Sequence, residues 1–358
     1  MSAPTMHVGF VVYGGLDAVS GGYRYDRKLV EYLETRGDTV DVIDIPQHSY
    51  PRNLGDAVSR RLRARLDRPF DVLLQDELCH PSLFVHNRRL TEPTTVVSLV
   101  HLLRAADPDR SLSGVYRDIE RWYLDSVDAA ICTSEYTERE TTALAAMPST
   151  VAYPGGRLEG QVAADRTEVA AGERPLDILF VGNVIRRKGT RTLVDALAGL
   201  DGEWTATIIG DQTAAPSYAQ SVRDRIDEHG LTDRVSLSGR VDDQTLAAAL
   251  ARADVLAVPS RYEGFGMVYL EAMEHGTVPI AGNLGGAGEF ITHNENGFLV
   301  GPADSDALRD ILDRLCSDRD RLAELSAAAT ETAAAHPTWA ETFARVREFM
   351  LAQANILE

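Results

Sequence analysis

The feature that most restricts this chain is an alternation of short apolar runs with helical patterns, and it occurs twice. In the first half the runs fall at His7–Tyr13, Thr39–Ile45, Phe70–Gln75, Thr94–Val100, Asp128–Thr133 and Thr150–Tyr153, with helical spacing at Tyr25–Arg36, Asp56–Leu66 and Tyr116–Leu124. In the second half they fall at Asp177–Val181, Thr205–Ile209, Val235–Ser238, Ala253–Val258, Val278–Ala281 and Gly297–Val300, with helices at Thr190–Leu200, Tyr218–His229, Asp243–Ala251 and Asp306–Leu315. Runs that are apolar throughout belong to strands covered on both faces, and helices between them act as crossovers. Each half is therefore expected to be an α/β, Rossmann-like, doubly wound parallel sheet.

Between the halves, Gly155–Pro175 is polar and has no clear period. We expect residues 1–157 to form an N-terminal domain, 158–175 a linker, and 176–336 a C-terminal domain. Residues 337–358 carry one long helical pattern, with Trp339, Phe343, Val346, Phe349 and Met350 near helical spacing. The 358 residues suit two domains of ordinary size.

The richest stretch is Pro259–Gly276, PSRYEGFGMVYLEAMEHG. It reads as a strand end, a glycine turn at Gly264 and Gly266, then a helix from about Met267. Glu263 lies before the helix start and Glu271 inside it, too far apart at about 1.5 Å of rise per residue to share one proton-transfer site. Between them lies a helix N-terminus, which favours phosphate. The arrangement suits a ligand with hydroxyls at both ends and a diphosphate in the middle, which describes a nucleotide sugar.

Glu263-Gly264-Phe265-Gly266 through Glu271 resembles the E-x7-E signature of the retaining glycosyltransferases of family 4, which have the GT-B fold. The resemblance implies two facing Rossmann-like domains, with the last helix crossing back to the first. It implies an enzyme that moves a hexose from a UDP- or GDP-hexose to a hydroxyl acceptor, a glycan, glycolipid or lipid-linked sugar. It further implies that Glu263 orients the sugar, that Glu271 binds the ribose, and that backbone near Gly264, Phe265, Gly266 and Met267 faces the phosphates. Phe180–Gly189 resembles the family's phosphate-binding segment, with Lys188 matching the family lysine and Asn183 standing where an arginine is usual. Arg187, beside it, is a candidate substitute, as is Arg186. Gly21 and Gly22 resemble the glycine-rich loop after the first strand. His101, at a strand's carboxyl end, matches a histidine that contacts the transferred sugar. Gly210, Arg240 and Val241 resemble donor-lining positions after the next strands. Glu263, His101 and Lys188 are thus the expected catalytic residues. The noncatalytic alternative is a nucleotide-sugar-binding partner subunit; within enzymes, a GT-B epimerase or phosphorylase is the alternative.

Three cysteines, Cys79, Cys132 and Cys316, have no ligand spacing, so neither a disulfide framework nor a zinc site is expected. Three D-x-D triplets, Asp107–Asp109, Asp304–Asp306 and Asp318–Asp320, follow no suitable strand, so no metal or other cofactor is expected. With 54 acidic against 36 basic residues the chain carries −18, which argues against a nucleic-acid partner. Its only lysines are Lys28 and Lys188, a composition that fits either a salt-rich cytoplasm, as in a halophilic cell, or the codon bias of a GC-rich genome. No apolar run crosses a membrane, and MSAPTMHVGFVVYGG lacks a basic start and a cleavage site, so a cytoplasmic protein without a signal peptide is expected. Arg60, Arg61, Arg63, Arg65 and Arg68 form a basic stripe, either a solvated helix face or a peripheral contact with the inner face of a membrane. Gln75-Asp76-Glu77 with Cys79 and His80 reads equally as acceptor-binding or helix-capping.

Overall fold

The computed structural model of the protein describes residues 4–17, 20–106, 113–158 and 174–356. They form two compact units, Met1–Pro154 with Pro337–Glu358, and Gly155–His336. Apart from Leu158, Arg174 and Pro175, the expected linker lies outside the described residues.

The first unit holds a six-stranded sheet of β1 (His7–Tyr13), β2 (Thr39–Ile45), β3 (Val72–Asp76), β4 (Thr95–Val100), β5 (Ala129–Cys132) and β6 (Ser149–Val151), in the order β2-β1-β3-β4-β5-β6. All its pairings are parallel. β3 and β4 are buried along their whole length, including Gln75 and Asp76 at the end of β3 and Thr95 and Ser98 in β4, as expected of strands covered on both faces. The helices are α1 (Gly21–Thr35), α2 (Tyr50–Asp56), α3 (Arg60–Leu66), α4 (His80–Leu83), α5 (Ser113–Leu124) and α6 (Glu135–Leu144).

The second unit holds β7 (Leu176–Val181), β8 (Trp204–Ile209), β9 (Val235–Gly239), β10 (Val255–Val258), β11 (Val278–Gly282) and β12 (Phe298–Val300), ordered β12-β11-β10-β7-β8-β9 and again all parallel. Its helices are α7 (Thr190–Leu197), α8 (Pro216–Glu228), α9 (Asp243–Arg252), α10 (Met267–Glu274), α11 (Ser305–Ser317) and α12 (Arg319–Ala335). The final helix, α13 (Trp339–Gln353), belongs to the first unit.

α13 opens with a capping box, Thr338 with Glu341, which satisfies backbone donors at its start. Trp339 and Phe343 pack edge-on against Tyr25 of α1, with centroids 5.5 and 5.1 Å away. Thr342 Oγ1 donates to Tyr153 O at 2.9 Å, and Arg347 pairs with the buried Asp38 at 2.7 Å. The doubly wound class expected from sequence is the class observed, including the last helix's return to α1.

Several helices differ from expectation. The helix expected over Asp56–Leu66 begins only at Arg60, because α2 ends at Asp56 and Ser59 adopts an extended backbone whose hydroxyl accepts from Leu62 N, starting α3 afresh. α2, α4 and α6 were not among the expected helices, and neither was α12. Its alanine-rich face has few large apolar side chains, so its period is faint in the sequence.

Candidate active site

In the second sheet the strand order reverses between β10 and β7, where Val255 lies opposite Ile178 and Leu256 opposite Leu179. Ligands of open α/β sheets bind beyond the carboxyl ends of strands at such a reversal. The loop after β7 carries a 3-10 turn, Arg186–Lys188, and the loop after β10 carries Glu263. The loops are in direct contact. Arg261 N donates to Arg187 O at 2.7 Å, and a Cβ on Gly189 would stand 2.1 Å from Pro259 O.

Their side chains converge on one carboxylate. Lys188 Nζ and Ser260 Oγ, the latter at 2.9 Å, both donate to Glu263 Oε1. Arg187 Nη1 lies 3.2 Å from Glu263 Oε2 and donates to Tyr262 O at 2.9 Å. Burial works against ionising Glu263, but the Lys188 and Arg187 charges and the hydrogen bonds outweigh it and bring its carboxyl down to about 2. Burial takes Lys188 below the ordinary lysine value despite the Glu263 charge. The trio carries one net positive charge, and Lys188 has three N–H donors, only one of them engaged by Glu263.

Gly266 separates the two acids. It has φ 92°, caps α10, and a Cβ there would stand 2.5 Å from the Tyr269 ring. Gly264 O accepts from Gly286 N at 3.1 Å. The Phe265 side chain is buried, stacked on Phe290 at 4.8 Å and tilted against His336 at 5.5 Å. Met267 begins α10, and Glu271 sits one face along it. Glu271 Oε2 lies 2.9 Å from Arg157 Nε, while Arg157 Nη1 reaches Asp243 at 3.0 Å. The backbone amides of Arg157 and Leu158 donate to Glu274 at 2.8 and 3.0 Å, which fixes Arg157 above α10.

The remaining candidates of this unit end neighbouring strands. A Cβ on Gly210 would stand 1.8 Å from Gly182 O, so the loops after β7 and β8 meet backbone to backbone beside Asn183. Arg240 pairs with Asp211 at 3.1 Å, and Val241 follows it before α9.

In the first unit, Gly21 and Gly22 open α1, capped by the Ser20 hydroxyl. His101 follows β4, with its Nε2 2.9 Å from Asp26 Oδ1 and its ring beside Gly22. Asp76 Oδ1 accepts from Leu78 N, which is the capping role. Gln75 and Asn87 exchange amide hydrogen bonds at 2.8 and 2.9 Å. Glu77, Cys79 and His80 are buried, and His80 Nε2 bonds Tyr50 Oη at 2.9 Å. Glu77, His80 and Glu120 form the one group among the described residues whose ligand atoms approach closely enough to suit a metal ion. The carboxylate of Glu120 already accepts from Arg104 N and Ala105 N. Asp304 and Asp318 of the D-x-D triplets cap α11 and α12, and Asp107–Asp109 lies outside the described residues.

Sequence reasoning missed Ser260, Arg157 and Asp26. Arg157 lay in a stretch read as connection. Asp26 had a usable signal, because it falls on the same helical face as Leu29, Val30 and Leu33, where an acid needs a partner.

Residues 162–332 match the family described as glycosyl transferases group 1, and residues 10–155 match the glycosyl transferase 4-like domain. A GDP-mannose-dependent α-(1-6)-phosphatidylinositol monomannoside mannosyltransferase of Mycobacterium tuberculosis is 32% identical over 255 residues, 67% of this chain. The match spans 66% of that relative's length. A D-inositol 3-phosphate glycosyltransferase of Xylanimonas cellulosilytica is 36% identical over 42% of this chain and 36% of its own. Among solved structures, sucrose-phosphate synthase from Thermosynechococcus elongatus superposes with a TM-score of 0.84 at 22% identity, covering 98% of this chain and 99% of the other. HepE of Anabaena, solved with UDP and glucose, gives 0.77 at 19% identity, covering 97% and 100%. These two show the shared fold.

Proposed function

Because this chain belongs to the group 1 glycosyl transferases, of the GT4 type with the GT-B fold, we propose that it transfers a hexose from a nucleoside diphosphate hexose to a hydroxyl acceptor, retaining the anomeric configuration and using no metal. The observation that carries this reading is the convergence of Lys188 and Arg187 on Glu263 where the second sheet's strand order reverses, with Glu271 on the helix beyond Gly266.

Each group then has a task. The leaving diphosphate develops negative charge, and Lys188, Arg187 and the amides opening α10 stabilise it. Lys188 serves both partners, since two of its donors remain once Glu263 is engaged. Glu263, held ionised by its cations, accepts hydrogen bonds from the sugar hydroxyls and orients the anomeric carbon. Glu271, oriented by Arg157, receives the ribose hydroxyls. His101 contacts the sugar. The leaving phosphate takes the acceptor's proton as the new bond forms on the same face, so no side chain is needed as base.

The mycobacterial relative's GDP-mannose dependence and the UDP-glucose bound by HepE make GDP-mannose and UDP-glucose the first donors to test. The protein is incubated with each, with and without EDTA, against phosphatidylinositol and simple polyol acceptors. The reading predicts an α-linked product by proton NMR, unaffected by EDTA. Donor binding without product from any acceptor would favour a noncatalytic binding subunit.

Peripheral membrane contact has its own support. Arg63 donates to Arg89 O and Arg88 to Trp122 O, next to a cavity of about 210 Å³ lined by Phe84, Val85, Arg88, Arg89 and the half-exposed Trp122. Arginine beside an exposed tryptophan suits an anionic headgroup layer. Among the described residues no helix is long and apolar enough to cross a membrane. Co-sedimentation with anionic vesicles, reduced in Trp122→Ser, tests this contact; no co-sedimentation overturns it.

A further inference from the structure

We infer that Asp26 is a positioning residue for His101, fixing the orientation of its ring and the tautomer it presents, an inference that rests on the donor-site reading of His101 above. Asp26 is fully buried on α1, and its Oδ1 lies 2.9 Å from His101 Nε2. A buried carboxylate is costly without a donor, so this contact is a strong restraint on both residues. Its Oδ2 is enclosed and has no hydrogen-bond partner among the described residues, which makes the imidazole the chief partner of Asp26. Gly22 lies one helical turn earlier on the same face of α1, and a Cβ there would stand 3.3 Å from His101 Cδ2. One helix therefore supplies both the space for the ring and the acceptor that aims it. The Tyr25 ring meets the imidazole edge-on at 5.2 Å, and Thr133 Oγ1 donates to His101 O at 3.3 Å.

With Nε2–H committed to Asp26, Nδ1 is the nitrogen left for a ligand, and the His101 side chain is 19% exposed. The titratable groups facing the ring are Asp26 from α1, Asp76 at the end of β3, and Glu77 just beyond it. Burial alone disfavours the imidazolium, but these carboxylates, Asp26 foremost, outweigh it and raise His101 above the ordinary histidine value. The same arrangement of carboxylate, imidazole and reacting group fixes histidine orientation in enzymes of unrelated fold.

The test compares wild type with Asp26→Asn by long-range proton–nitrogen NMR of the histidine rings, alongside steady-state kinetics across pH. In wild type, His101 should carry its proton on Nε2 when neutral and titrate above an ordinary histidine. In the variant the titration midpoint should fall by about one pH unit and the tautomers should mix. In the same variant kcat should fall about tenfold with donor KM changed less, and the His101-dependent limb of the pH profile should move to lower pH. Unchanged titration and tautomer in the variant overturn the proposal. If Asp26→Asn does not fold, a wild-type spectrum showing the proton on Nδ1 overturns it as well. Absence of product from wild type would defeat the donor-site reading instead, while the ring titration would still decide whether Asp26 governs His101.

Discussion

Lys188 Nζ donates to Glu263 Oε1, and this contact joins the loops after β7 and β10 where the second sheet changes direction. A lone buried Glu263 would favour its neutral form; paired with Lys188 and Arg187 it is ionised. A lone buried Lys188 would likewise lose its proton more readily. Each residue thus preserves in the other the charge that a diphosphate sugar requires.

Replacing Glu263 by Gln keeps the shape and removes the charge. We predict a fall in kcat of about 100-fold with donor KM changed only a few-fold, because the lost interaction is with the reacting sugar. Steady-state kinetics with the preferred donor check this. In an acid titration the stabilisation from Glu263 should be complete above the unfolded carboxyl value of about 4.5 and be lost progressively as pH falls from there to about 2, since its native carboxyl lies below the unfolded value.

Arg157 anchors Glu271 and is itself held by Asp243 and by its own backbone on Glu274. Arg157→Ala should weaken nucleoside diphosphate binding about tenfold without changing kcat at saturating donor, because a loosened Glu271 must be reordered by the ribose. Equal kcat and KM in variant and wild type would detach Arg157 from the nucleotide.

Glu77 and Glu120 of the first unit should make stability fall with rising pH. Burial raises Glu77 to about 8, against the nearby Arg104 charge. Burial and the Glu77 charge raise Glu120 to about 8. Their native values lie above the unfolded ones, so their stabilising contribution is complete in acid below the ordinary carboxyl range and is lost as pH climbs toward about 8. Glu120→Gln should flatten the melting temperature between about pH 5 and about pH 8, as differential scanning fluorimetry can show.

Phe343 carries the return of α13 to α1, stacked on Trp339 at 5.2 Å and edge-on to Tyr25 at 5.1 Å. Phe343→Ala should destabilise the first unit by about 3–5 kcal/mol, measured by urea unfolding.

How much of this was legible in the sequence depended on the physics that wrote each signal. Strands buried on both faces leave mainly apolar, β-branched runs, so β3, β4 and β10 could be placed from the sequence. Lys188 stood out because the chain has only one other lysine. Glu263 and Glu271 stood out because glycine, which Gly266 needs for its positive φ, punctuates the helix start between them. The partners of those acids were not legible. Ser260 and Arg157 reach Glu263 and Glu271 across 3 and over 100 residues of chain, and no local pattern records such a contact. The Gln75–His80 polar run looked as much like a ligand surface as a structural one, because pairing with Asn87, Tyr50 and Leu78 N exists only in the fold.

Calorimetric titration of UDP and GDP into wild type, Lys188→Ala and Glu271→Ala tests the central claim most directly. The account predicts saturable binding of at least one nucleotide by wild type, weakened about tenfold or more in each variant. Wild-type protein that binds neither nucleotide, or variants that bind as tightly as wild type, would contradict it.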